Sequence, residues 1–276
     1  MIKRLITALA TPFEGGKIDE KSFARLVEYQ VSGGADALLA LGTTAESQML
    51  TKTESNRLLS LCKITAGNVP IIAGVHESAT DKACDEAKRL QDLGASALLI
   101  APPSFCKCTP VGYKAHIEAI CRAVKLPVIL YNVPSRAGYC LDAQTVLALA
   151  DKIAAVKDAC DGTEFAKKAV TRVPVLCGSD ERIAEYLEAG ACGVISVTSN
   201  AAPLWTGQIL GGERSEEFTR FARLTMTEIN PIAIKYFLYR AGIFRSYETR
   251  LPLSPASSQT REAIDGFLQE HGDKIR

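Results

Sequence analysis

Gly94-Ala95-Ser96-Ala97-Leu98-Leu99 recurs, with small changes, as Gly34-Ala35-Asp36-Ala37-Leu38-Leu39 and as Gly190-Ala191-Cys192-Gly193-Val194-Ile195. Each reads as a joint where a helix ends and a buried strand begins, because glycine suits the left-handed position that terminates a helix. A second joint recurs as Val69-Pro70-Ile71-Ile72, Leu126-Pro127-Val128-Ile129-Leu130 and Val173-Pro174-Val175-Leu176. Proline is tolerated at the first residue of a strand, which need not donate to the ladder. With Ile6 to Ala8 and Ile153-Ala154-Ala155-Val156, these joints predict eight strands near residues 5–9, 37–41, 70–74, 97–101, 127–131, 153–157, 173–177 and 193–197. The strands are continuous apolar runs without alternation, as expected when both faces are covered. Helical periodicity fills the gaps: Phe23, Leu26, Val27 and Val31 in 21–33, then Ala83, Ala87 and Leu90 in 80–93, with Thr80 as its N-cap, then 181–189. Eight strand–helix units predict an α/β fold, a (β/α)8 TIM barrel with additional C-terminal helices. The rival, an open doubly wound sheet, lacks a G-x-G-x-x-G after the first strand. Residues 1–205 read as the barrel core and 206–276 as a helical appendage of the same domain, interrupted at Asn230-Pro231 and Leu251-Pro252.

The bulk properties narrow the function classes. A formal net charge of +1 over 276 residues leaves no electrostatic footprint for nucleic acid or an anionic membrane. No run approaches the ~20 apolar residues of a membrane helix. Met1-Ile2-Lys3-Arg4 before an apolar run imitates a signal peptide, but Thr11-Pro12-Phe13 interrupts that run, and a first buried strand is the better reading. The nine cysteines are scattered, with only Cys106 and Cys108 close in sequence, and lack C-x-x-C spacing. No metal site is expected from them. Reduced, mostly buried thiols in a cytoplasmic protein are.

Barrel enzymes carry their chemistry at the C-terminal ends of the strands. Strand six delivers Lys157 there. Most lysines are solvated surface charges, but one that continues an apolar strand is desolvated, and a neutral amine attacks a ketone to form an imine. Strand five ends in Tyr131-Asn132-Val133-Pro134-Ser135-Arg136. A phenol at that rim either packs or shuttles protons. Arg136 either makes a surface salt bridge or captures a carboxylate bidentately. Strand two ends in Gly42-Thr43-Thr44-Ala45-Glu46-Ser47, either a plain helix cap completed by Glu46 or an anion site of hydroxyls and backbone N–H groups. An amine, a phenol, hydroxyls and a guanidinium on three rims together suit carbonyl chemistry.

At these residues the chain resembles the dihydrodipicolinate synthase/N-acetylneuraminate lyase family of pyruvate-dependent class I aldolases. The resemblance runs from Ala8-Leu9-Ala10-Thr11-Pro12-Phe13 to Arg250-Leu251-Pro252-Leu253. Gly42 to Glu46 match the family's Gly-[Ser/Thr]-Thr-Gly-Glu motif, residues 131–134 its Tyr-Asn-x-Pro motif, and Lys157 its Schiff-base lysine. Thr43-Thr44, Ser135-Arg136, Gly193-Val194-Ile195-Ser196-Val197 and Asn230-Pro231-Ile232 to Lys235 look like the synthase branch, whereas the sialic-acid lyases tend to have Gly-Ser-Thr-Gly-Glu and no arginine after the proline; a lyase or aldolase for N-acetylneuraminate or a 2-keto-3-deoxy sugar acid, using the same Schiff base, is the nearest alternative. The resemblance implies an imine between Lys157 and pyruvate, whose enamine attacks L-aspartate 4-semialdehyde in lysine and diaminopimelate biosynthesis. It implies that Tyr131 and Thr43 relay protons, that Thr44 and Ile195 hold oxygens of pyruvate, and that Arg136 binds the second substrate's carboxylate. It also implies a homotetramer or homodimer with no metal or organic cofactor.

Three departures from the family pattern stand out. Ala45 replaces the motif's second glycine, which strains the loop if that position needs a positive φ. Phe105, in Pro103-Ser104-Phe105-Cys106-Lys107, takes the place of a relay tyrosine that the family supplies from a neighbouring subunit, and it has no hydroxyl. Lys52, Ser55, Ser78, Lys82 and Ser104 replace the residues with which lysine-inhibited members bind their inhibitor. The segment between Trp205 and Asn230 is shorter than usual for the family. A catalytically impaired barrel with a binding or scaffolding role is the reading that Ala45 and Phe105 favour and that Lys157, Tyr131, Thr43 and Arg136 oppose.

Overall fold

The computed structural model describes residues 4–275. The strands in chain order are β1 (Arg4–Ala8), β2 (Phe13–Glu14), β3 (Lys17–Ile18), β4 (Ala37–Ala40), β5 (Ile71–Val75), β6 (Ala97–Ile100), β7 (Val128–Asn132), β8 (Ala155–Asp158), β9 (Val175–Cys177) and β10 (Gly193–Ser196). β2 and β3 form a small antiparallel hairpin; the other eight close a parallel barrel in which β1 pairs with both β4 and β10. All eight expected strands are present, the sixth and seventh starting at Ala155 and Val175 rather than at Ile153 and Val173. Gly34, Gly94 and Gly190 end their helices at φ of 81°, 86° and 94°, the left-handed conformation that their place in the joints requires. Pro70, Pro127 and Pro174 stand directly before β5, β7 and β9. Their carbonyls accept from Leu38, Leu98 and Val156 N–H on the neighbouring strands, so the missing donors cost the ladder nothing.

Because successive side chains point to opposite faces of a strand, the barrel has two separate cores. Ile6, Leu39, Ile72, Leu99, Ile129 and Ile195 fill the interior. Leu5, Leu38, Ile71, Leu98, Val128 and Val194 face the surrounding helices. Asn200 latches the ring shut beyond β10: its Nδ2 donates to the Ala8 and Val197 carbonyls at 2.8 Å each, and its Oδ1 accepts from Ala10 N–H at 3.1 Å. Past the barrel, helices Pro203–Gly211, Glu216–Leu224, Ile232–Arg240 and Ser258–His271 pack through one aromatic cluster. Phe221 stacks on Trp205 and Phe267 at 5.7 and 5.5 Å and meets Phe237 edge-on at 4.9 Å.

Three local expectations are corrected. Thr80 is the first residue of its helix rather than the cap; Ala79 caps without a side-chain bond, and the Thr80 hydroxyl meets His116 Nδ1 instead. The thiols are less buried than expected: Cys62 and Cys177 are enclosed, whereas Cys106 and Cys140 are exposed and the other five intermediate. Glu46 does not complete a helix cap. The capping box before helix Lys52–Ala66 is Thr51 with Glu54. Glu46 is instead wholly buried, 2.6 Å from Lys235 Nζ, and its other oxygen accepts from Arg250 N–H at 2.9 Å.

The Glu46–Lys235 pair fastens the loop after β4 to the C-terminal helices, and the Phe13 ring lies 4.3 Å from Lys235 and 4.4 Å from the Arg250 guanidinium. Burial pushes the Lys235 ammonium down to about 8 even though Glu46 holds it up. Glu46→Ala removes that support and leaves a buried charge, so chemical denaturation at neutral pH should show a loss of about 3–5 kcal/mol. The loss should shrink as pH rises to about 8, because the folded variant releases the buried proton below that value while the parent keeps its own until then. There the unfolded variant still binds the proton that the folded one has released, so stability climbs with pH. A pH-independent loss would show that Lys235 is not the group responsible.

Candidate active site

The alternation that fills the barrel also aims its chemistry. Ala155 and Ile129 face the interior, so Lys157 and Tyr131, each two residues on, face it too, at its C-terminal end. The parallel register pairs Tyr131 with Lys157. Lys157 is 5% exposed, and its Nζ stands 4.5 Å from the centre of the Tyr131 ring. Lys235 is the other buried lysine among the described residues, and it is spent in an ion pair; Lys157 has no carboxylate partner among them and meets a phenol instead. Room for the Lys157 stem depends on Gly178 in the turn after β9. A Cβ there would stand 3.0 Å from Lys157 Cε and 2.9 Å from the Asp158 carbonyl.

Lys157 and Tyr131 line a cavity of about 370 Å³ at the barrel mouth, together with Thr43, Thr44, Arg136 and Gly178. The threonines come from a turn bracketed by two non-glycine residues with positive φ, Leu41 at 56° and Glu46 at 54°. Such residues cost roughly 1–2 kcal/mol each and need support. Leu41 receives it from His76, whose Nε2 donates to the Leu41 carbonyl at 2.9 Å, and Glu46 from its buried pairing. Ala45 has no positive φ, so the substitution strains nothing there. It is buried, and its carbonyl accepts from the Thr11 hydroxyl at 2.8 Å. The extended 3-10 turns over Thr43–Ala45 and Ser47–Met49 separate the motif from the following helix, so it is not the helix start that the sequence suggests.

Three arginines line the cavity, and two are engaged: Arg182 with Glu185 and Arg223 with Glu181. Arg136 makes no ion pair among the described residues, donating only to the Asn230 carbonyl at 3.3 Å. It is therefore the rim cation left for a ligand carboxylate. The sequence shows Asn230 as a break in the helical pattern and as part of a stretch that looks like the synthase branch, with no role attached to it. It comes from the appendage, lines the cavity, donates from Nδ2 to Thr44 Oγ1 at 2.9 Å, and has a buried Oδ1 without a partner. Two residues of the sequence reading do not line this cavity. Ile195 packs in the interior at 1% exposure and does not line the cavity, where Val197 does. Phe105 is fully exposed on the loop before helix Pro110–Ala123, at φ 64°, away from the cavity.

Behind Lys157, alternation turns Asp158 outwards. Its carboxylate is wholly buried and accepts from Tyr186 OH at 2.9 Å and Asn132 Nδ2 at 3.0 Å. Burial raises its affinity for a proton, while those donors oppose the rise. This group stiffens the end of β8, which fixes where Lys157 starts. Among the described residues, no three His, Cys, Asp or Glu side chains gather as metal ligands, and no helix is long and apolar enough to cross a membrane.

An enclosed amine beside a phenol, with two hydroxyls and an unpaired guanidinium opposite, can bind a small keto acid and form an imine with it. Known proteins agree with that geometry. The dihydrodipicolinate synthetase family profile matches residues 1–271. A 4-hydroxy-tetrahydrodipicolinate synthase of Thermotoga neapolitana is 35% identical, with 99% of each chain covered. The crystal structure of dihydrodipicolinate synthase from Thermotoga maritima superposes with a TM-score of 0.93 at 33% identity, covering 99% of each chain. The chloride-inhibited dihydrodipicolinate synthase of Acinetobacter baumannii, complexed with pyruvate, superposes with a TM-score of 0.92 at 33% identity over the full length of both. By fold, sequence and the residues gathered at the barrel mouth, this chain belongs to the dihydrodipicolinate synthetase family.

Proposed function

We propose that the chain is a 4-hydroxy-tetrahydrodipicolinate synthase, a lyase-type aldolase of lysine and diaminopimelate biosynthesis, with Lys157 as its Schiff-base residue. The observation that carries this reading is the unpaired Lys157 amine, buried against Tyr131 in a cavity that also holds Thr43, Thr44 and Arg136. The amine attacks C2 of pyruvate, and loss of water gives the imine. Tyr131, working with Thr43, supplies the proton to the departing oxygen and takes one back. Loss of a methyl proton turns the imine into an enamine, whose carbon attacks the aldehyde of L-aspartate 4-semialdehyde. Thr44, oriented by Asn230, takes the pyruvate carboxylate, and Arg136 takes that of the acceptor. Phe105 contributes no hydroxyl, so the relay runs within one chain. Its outward ring fits the expected homotetramer or homodimer, in which it would face a neighbouring copy.

Borohydride reduction in the presence of pyruvate should leave a stable adduct on the peptide carrying Lys157, and Lys157→Ala should leave none. An adduct on another lysine, or no adduct at all, would overturn the assignment. Tyr131→Phe should keep the adduct but lower turnover by about 10²–10⁴-fold.

Arg136→Lys keeps the charge and loses the planar fork. In a coupled assay it should raise KM for L-aspartate 4-semialdehyde at least tenfold and leave KM for pyruvate within about twofold, about 1.4 kcal/mol of selective binding. Equal changes for both substrates would show that Arg136 holds no acceptor carboxylate.

Feedback by L-lysine should be absent. Of the five replaced positions, Ser78 and Ser104 are bonded to each other, the Ser78 hydroxyl accepting from Ser104 N–H and donating to its carbonyl at 3.1 Å each. Micromolar lysine should leave initial rates unchanged, and half-inhibition in that range would contradict the reading.

A further inference from the structure

Two cysteines far apart in sequence meet at the cavity rim. Cys160 follows β8, two residues past the buried Asp158, and lines the cavity. Cys140 lies in the irregular segment between helix Pro134–Ala137, which carries Arg136, and helix Ala143–Leu147. One amide side chain gathers both. Asn132 Nδ2 donates to Cys160 Sγ at 3.0 Å, and Asn132 Oδ1 accepts from Leu141 N–H at 3.0 Å, beside Cys140. The thiol of Cys140 points back over that same residue, 3.8 Å from the Leu141 carbonyl, so the Asn132 amide holds the Cys160 sulfur on one side and the backbone next to the Cys140 thiol on the other.

The two thiols differ in the way a reactive and a resolving cysteine differ. Cys140 is exposed. Cys160 is half-buried, and burial followed by the Asp158 carboxylate keeps it protonated. The Asp158 carboxylate accepts from the Cys160 backbone N–H at 3.3 Å, so a proton acceptor stands beside that thiol. Cys106 and Cys108, the pair that is adjacent in sequence, have no such arrangement around them; Cys106 is exposed on the Phe105 loop.

We infer that Cys140 and Cys160 form a reversible disulfide when the protein meets hydrogen peroxide, a modification site at the mouth of the cavity. The Cys140 sulfur attacks the peroxide, breaking its O–O bond, to give a sulfenic acid and one water. The Cys160 sulfur then attacks the sulfenic sulfur. Its proton passes to Asp158, the S–O bond breaks, and the departing hydroxide takes up a proton to leave as a second water. The two thiols are oxidised by two electrons and the peroxide is reduced by two. A small thiol returns both by exchange through a mixed disulfide. The bond ties the segment carrying Arg136 to the segment that follows Lys157, and it takes the Cys160 sulfur away from Asn132.

The test is peroxide treatment of the whole protein at neutral pH, followed by non-reducing proteolysis and mass analysis. One cross-linked species joining the Cys140 and Cys160 peptides, lighter by two hydrogens, is expected; dithiothreitol should abolish it, and Cys140→Ser should never form it. A sulfinic acid on Cys140 with Cys160 untouched, or a cross-link between other cysteines, overturns the inference. This readout holds whether or not the proposed activity is right. A second arm rests on that activity: oxidised protein should turn over several-fold more slowly and recover with dithiothreitol. Cys140→Ser, unimpaired before treatment, should resist peroxide. Equal sensitivity of the variant and the parent would show that the pair is not what peroxide acts on.

Discussion

The organisation of the site depends on one buried ion pair. Glu46 and Lys235 are 189 residues apart in sequence and wholly enclosed, so each charge has only the other, and the backbone N–H of Arg250, to replace water. Glu46 can play this part only with its backbone in the left-handed region, which an ordinary residue resists. The pair thus holds the strained end of the turn that presents Thr43 and Thr44. Through the same helix it brings in Asn230, which orients Thr44 and lies against Arg136. The C-terminal helices are therefore part of the active-site wall, and the barrel alone would leave that wall incomplete.

Much of the fold was legible because it rests on local rules. Glycine exits and proline entries mark where strands begin, and continuous apolar runs mark strands covered on both faces. Lys157 and Tyr131 were legible for the same reason: each continues a strand in the register that faces the interior, and only their distance from one another needed the structure. What escaped were the pairings across long separations. Asn230 with Thr44 spans 186 residues and Arg136 with Asn230 spans 94, and no periodicity connects such positions. The sequence also could not say which rim arginine would be left over, because that depends on Glu181 and Glu185 neutralising the other two.

Backbone geometry sharpens two readings of the sequence motifs. Ala45 seemed a strained replacement for glycine, but the left-handed residue in the motif is its neighbour Glu46, where side-chain bonding supplies the compensation. Alternation along β10 sends the side chain of Ile195 into the packed interior, which leaves its backbone as the part that faces a keto acid in the expected role, and Val197 lines the cavity.

The latch at Asn200 has a consequence for how the molecule is made. Strand β1 is synthesised before the other strands of the barrel, yet one of its two edges is covered only by β10, nearly the whole barrel later, with Asn200 adding its bonds just beyond that seam. Until β10 leaves the ribosome, β1 presents unpaired backbone groups on that edge, and each doubling of the intervening loop adds only about 0.6 kcal/mol to the entropy cost of closing it. During that wait a nascent seven-stranded sheet has an open edge on which a neighbouring chain can pair.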